Sequence, residues 1–274
     1  MRSALLLPTL VLVMAVVWHV LVARFALRLG LVKPNFAKKP VMASYGLIMF
    51  PYITALGMML AARGWVSWTH IRLYLGTMAA MWALGAIDDI WGTREVGGFK
   101  GHFKKLLIER RITTGAVKAI GGGVVALVAG FSVYHRNVPM ALLAAVVIAL
   151  SANLLNLFDL RPGRAVAVLF AGLGVTYIVT CGRLVASPVV GAIAAIALLF
   201  GVADSRGKAM MGDSGSNSLG AALGLTIVLS APDWMLPAIA VMAAIHIYSE
   251  KHSISGLIER NRVMKAIDRC LGVR

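Results

Sequence analysis

The stretch VPMALLAAVVIALSANLLNLFDLRPGRA, Val138–Ala165, decides the fold. Residues 138–158 are almost wholly apolar, and about 20 such residues is the length a helix needs to cross a bilayer. Near the end of the run stand Asn153, Asn156 and Asp159, three apart, so a helix places them on one broad side. Arg161 and Arg164 then flank Pro162-Gly163. A hydrophobic helix that closes on two amides, a carboxylate and two cations either carries ordinary end decoration or contributes to a reaction site.

The rest of the chain repeats the pattern. Of its 274 residues 59% are hydrophobic and 14% charged, against about a quarter charged in soluble domains, and the mean hydropathy is +0.84. This composition predicts an all-α polytopic transmembrane bundle forming a single integral membrane domain over 1–274. Nine apolar segments are expected to span: 4–23, 44–62, 71–87, 113–134, 138–158, 165–182, 187–203, 216–231 and 234–248. The first is expected to remain as an uncleaved helix, since one basic residue precedes it and Arg24, Arg28 and Lys33 follow. An N-terminus outside and a cytoplasmic C-terminus place 21 Lys and Arg on inner loops and flanks and five outside, with Lys118 inside a span. That asymmetry fits the positive-inside rule. The inner segments are 30–43, 88–112, 159–164, 204–215 and a basic tail, 249–274.

A net charge of +16 is thereby explained by membrane topology, and no nucleic-acid-binding motif accompanies it. Cys181 and Cys270 have no metal or disulfide spacing.

Ten of the eleven acidic residues fall on the inner side, and the positive-inside rule does not require this. Asp88 and Asp89 end the third segment as GAIDDIWG, residues 85–92. Adjacent carboxylates at an apolar helix end repel one another and are costly to desolvate, so they call for a cation or a solvated end. Mg²⁺ suits the first case, because it takes one or two carboxylates plus water and phosphate oxygens. Asp213 lies in MMGDSGSNSLG, residues 210–220, where it can cap a helix or sit beside the amides of an anion site. Asn153 and Asn156 can bond between helices or face a ligand. Lys38, Lys39, Lys104 and Lys105 can anchor the chain at anionic lipid or clamp a phosphate. For His102 and His252 a surface role is expected.

These stretches, in this order, resemble the polyprenyl-phosphate N-acetylhexosamine-1-phosphate transferase family, which includes the phospho-MurNAc-pentapeptide translocase and GlcNAc-1-phosphate transferases. The likeness covers roughly residues 33–220. It rests on KPNFAKKPVMASYG, the Asp-Asp stretch GAIDDIWG, the Asn-x-x-Asn-x-x-Asp stretch NLLNLFD and MGDSGSNSLG. The resemblance implies about ten helices, a site facing the cytoplasm of a bacterial inner membrane, Mg²⁺ or Mn²⁺ dependence and often a homodimer. The reaction it implies passes a sugar phosphate from a UDP-sugar to polyprenyl phosphate in cell-envelope synthesis, releasing UMP. Asp213 then binds metal, with Asp88 in support. Asp88, Asp89 and Asp159 are the expected catalytic carboxylates. Asn153, Asn156, Lys39 and Lys104 are the expected substrate contacts.

The chain leaves the family pattern at Leu160. An Asp-Gly-Leu/Ile-Asp-Gly continuation is expected there, and DLRPGRA stands instead. A histidine-rich loop near the last helices is replaced by HIYSEKHSISGLIERNRV. Arg161 and Arg164 are accordingly expected either to hold a further phosphate or carboxylate of the donor or to anchor the inner loop. Two rival readings stand beside the enzyme: a non-catalytic relative that binds prenyl phosphate or scaffolds other proteins, and a transporter. The second predicts polar groups at mid-depth and internal repeats, which the sequence does not show.

Overall fold

A computed structural model of the chain describes residues 6–35, 38–92 and 114–272. Eleven α-helices account for most of them: α1 (Leu6–Phe25), α2 (Gly46–Ala62), α3 (Trp68–Trp91), α4 (Thr114–Val133), α5 (Val138–Phe158), α6 (Arg164–Val179), α7 (Ser187–Ser205), α8 (Gly212–Ser230), α9 (Met235–Lys251), α10 (Ile254–Arg260) and α11 (Arg262–Leu271). Each of the nine apolar segments corresponds to one of α1 to α9. Among the described residues, three helices, α4, α5 and α7, are by length and composition able to cross a membrane, and α8 and α9 qualify together but are bent by 116°. Among the described residues, α2, α6 and the stretch Thr9–Phe25 of α1 are shorter apolar helices.

Helix α8 is the axis of the bundle. It packs most extensively on α5 and α3, and almost every residue from Ser214 to Thr226 is buried. Small residues permit this approach, as in membrane helix pairs generally. A Cβ on Gly220 would stand 2.6 Å from the Ala152 Cα of α5, and one on Gly224 would stand 2.7 Å from the Ile148 Cα. The α8–α3 contact adds a buried hydrogen bond between the Tyr74 and Thr226 hydroxyls, 3.1 Å. Around this axis Met78, Ile148, Leu155, Leu169, Leu219 and Leu225 form the core. The outer surface is equally apolar, with Val13, Val128, Ile178, Leu199, Leu236 and Val241 all well exposed. Soluble monomers rarely expose contiguous apolar surface on this scale, and lipid is the solvent that such a surface suits.

Two features of the loops are absent from the sequence reading. Residues 30–43 contain an antiparallel hairpin of β1 (Val32–Pro34) and β2 (Pro40–Met42). Its far side is tied to the segment before α8: Met210 N–H donates to the Met42 carbonyl, 2.7 Å, while the Tyr45 and Gly46 N–H groups donate to the carbonyls of Met210 and Met211, each 2.9 Å. The basic tail, expected as a charged segment, contains α10 and α11.

Candidate active site

The C-terminal ends of α3, α5 and α7 meet the N-terminal end of α8 beside the hairpin, and a cavity of about 470 Å³ opens between them. Its wall carries Asp89, Asn156, Asp159, Arg161 and Asp213 from the expected set, together with Lys33 and Asp204.

Asp89 closes the junction of α3 and α8. Its carboxylate accepts the N–H groups of Asp213, 2.9 Å, and Ser214, 3.0 Å. The first amides of a helix have no partner within it, so the α3 carboxylate acts as an N-cap supplied by another helix. Close backbone approach is required. A Cβ on Gly85 would overlap the Asp213–Ser214 peptide, and one on Gly212, whose φ is +72°, would lie 2.8 Å from Asp89 Oδ2. Asp89 is 8% exposed, and its own carbonyl accepts from Lys33 Nζ at 2.6 Å.

Asp88 turns to the other side of α3, toward Lys118 of α4. The Lys118 ammonium lies 3.0 Å from Asp88 Oδ2 and also pairs with Asp213 Oδ2. Two carboxylates from helices distant in sequence thus converge on one positive charge. These are the oxygens available to a divalent cation. Among the described residues no group of three or more His, Cys, Asp or Glu side chains forms a metal cage, so a cation here would need further oxygens from water or a ligand, as Mg²⁺ ordinarily does.

Asp159 follows the end of α5 and enters the cavity. Burial pushes its carboxyl well above the usual carboxylate range, and the negative charges of Asp204, Asp213 and Asp89 add to this, while the Gly212 amide opposes it. One turn earlier, Asn156 presents a buried Nδ2 with no hydrogen-bond partner among the described residues. Buried amides are nearly always bonded, so this donor, on the cavity wall, is suited to a ligand acceptor. The wall therefore holds four carboxylates, two cations and a spare amide.

Several expected contacts lie elsewhere. Arg164, read as a donor-binding cation, is 4% exposed and grips Asp268 of α11 through Nε, 2.6 Å, and Nη2, 2.9 Å, with Nη1 on the Ser255 hydroxyl at 2.8 Å. A guanidinium so engaged is a structural clasp, and it is not on the cavity wall. Asn153 is exposed and off the wall, because three residues along a helix carry it about 60° around the axis from Asn156. Lys39 is exposed at the hairpin, and the hairpin instead offers Lys33. Lys104 lies outside the described residues. Lys33, Lys118 and Asp204 were not among the expected site residues. Lys118 had a signal, being a lysine set several residues inside an apolar segment, and ionisable groups there are functional by default. Asp204 accepts the Gly163 N–H at 2.7 Å, which ties the 159–164 loop to α7.

No protein-family model matches the chain, and no curated protein matches it.

Proposed function

We propose that the chain is a membrane phosphoglycosyltransferase that moves a sugar-1-phosphate from a nucleotide sugar, of the UDP class, to polyprenyl phosphate, releasing UMP. One observation carries this reading. Four sequence motifs separated by up to about 180 residues contribute side chains to the wall of a single cavity at the helix ends. The reading includes nine to ten membrane spans with the cavity facing the cytoplasm, supported by the 21-to-five division of basic residues.

The reaction joins two anionic phosphates. An oxygen of the acceptor phosphate forms a bond to the sugar-bearing phosphorus, the bond from that phosphorus to the bridging oxygen breaks, and the electron pair leaves on UMP. Bound Mg²⁺ or Mn²⁺ would screen the charges of both partners. Asp213 and Asp88 would hold it, at the oxygens that Lys118 joins. Lys33, Arg161 and the Asn156 amide would bind phosphate oxygens. Asp159, on the cavity wall, is placed to receive a proton from the acceptor phosphate. Asp89 is a positioning residue: it fixes the start of α8, and with it Asp213.

A panel of UDP-sugars offered with undecaprenyl phosphate and Mg²⁺ to the purified chain tests the proposal. At least one donor should yield UMP and a lipid-diphospho-sugar in equal amounts. Product from none of them would overturn it. A cellular phenotype that survives Asp213→Asn would then favour the non-catalytic lipid-binding or scaffold reading.

A further inference from the structure

The tail helix α11, RVMKAIDRCL, is two-sided. At 100° per residue Val263, Ile267, Leu271 and Met264 fall within an arc of about 100°, and Lys265, Arg269 and Arg262 occupy the opposite side. The apolar side does not face the core: Val263 is 68% exposed and Ile267 55%. Asp268 lies on the seam between the two sides and is held by Arg164, the first residue of α6. Beyond it, the Gly272 backbone packs against the carbonyls of Pro162 and Ser205. Since α6 begins and α7 ends at this place, α11 runs at the level where the apolar belt of the bundle stops.

We propose that α11 is a membrane-surface helix that lies in the plane of an anionic bilayer, with its apolar side in the acyl boundary and its cations at the headgroup phosphates. Charge selects this occupant. Arg260, Arg262, Lys265 and Arg269 are exposed on α10 and α11 against the single exposed acid Glu259, because Asp268 is neutralised by Arg164. A second copy could cover the apolar side but offers no opposite charge to the cations behind it, whereas an anionic bilayer supplies both the apolar boundary and the opposite sign. The Arg164–Asp268 clasp joins this lipid-facing helix to the end of the loop that carries Asp159 and Arg161.

The test uses the full chain in lipid nanodiscs, on a Cys181→Ser, Cys270→Ser background. Single cysteines replacing Ile267, Val263 or Lys265 carry an environment-sensitive fluorophore. In discs containing phosphatidylglycerol the labels at 267 and 263 should emit to the blue and be quenched by shallow spin-labelled lipid, and the label at 265 should not. Zwitterionic discs, or Gln at Arg262 and Arg269, should reduce the quenching. Equal water exposure at 263, 265 and 267 would overturn the proposal. So would protection of 267 that appears only with two chains per disc and is insensitive to spin-labelled lipid, which would assign the face to a second copy.

Discussion

At the scale of single residues, the site is built from carboxylates with different tasks. Asp89 spends both oxygens on the first amides of α8, so Asp89→Ala should lower stability by about 0.5–2 kcal/mol, the range for a lost helix cap. Asp89→Asn keeps one acceptor oxygen and should cost less. Thermal unfolding of the two variants in detergent checks the order, and equal losses would contradict the capping role. Asp159 behaves differently. Its folded-state pKa is raised, so the folded chain favours the protonated form. The associated stability is fully present below the unfolded value of about 3.9 and is lost as pH rises through the folded value. In metal-free buffer, Asp159→Asn should therefore gain on the wild type as pH increases, and then run parallel to it. Melting curves that stay parallel across the whole carboxylate range would show that Asp159 is not strained by burial.

At the scale of helices, glycine spacing sets the packing. Gly220 and Gly224 let α8 lie against the α5 backbone. Gly220→Leu should destabilise the bundle by at least about 1–3 kcal/mol, the ordinary cost of overpacking, whereas Gly76→Ala, where a Cβ meets nothing within 4 Å, should be neutral or better. Unfolding midpoints of the two variants make the comparison. The positions of α1 to α9 were legible in the sequence because apolar runs of helix length are unambiguous, and the run at 138–158 coincides with α5. The clustering of Asp89, Asn156, Asp159 and Asp213 was legible as well, since alternating helices return to one face. Pairings across the chain were not. Nothing in DLRPGRA shows that Arg164 is consumed by Asp268, 104 residues away, while Arg161 lines the cavity. Nor does hydropathy separate Lys33 from Lys39, because which lysine faces the cavity depends on a hairpin whose register is set by contacts with residues 209–211.

At the scale of the molecule, apolar side chains cover much of the outside of a bundle that gathers Asp89, Asp159, Asp204 and Asp213 around one cavity. The proposed orientation places Cys181, which is exposed after α6, outside, and the tail inside. A membrane-impermeant maleimide should label Cys181 in intact spheroplasts, and a cysteine replacing Lys265 in a Cys181→Ser, Cys270→Ser background should react only after the membrane is opened. The opposite pattern would invert the topology and put the cavity on the wrong side for a cytosolic donor. The most direct measurement of the central claim is transfer of radiolabel from UDP-sugars to undecaprenyl phosphate, with wild type and Asp213→Asn reconstituted side by side. The account predicts lipid-linked label and UMP from the wild type with at least one donor, dependent on Mg²⁺ or Mn²⁺, and a loss of about 100-fold or more in the variant, as when a principal transition-state charge stabiliser is removed. Equal transfer by the two proteins would contradict it.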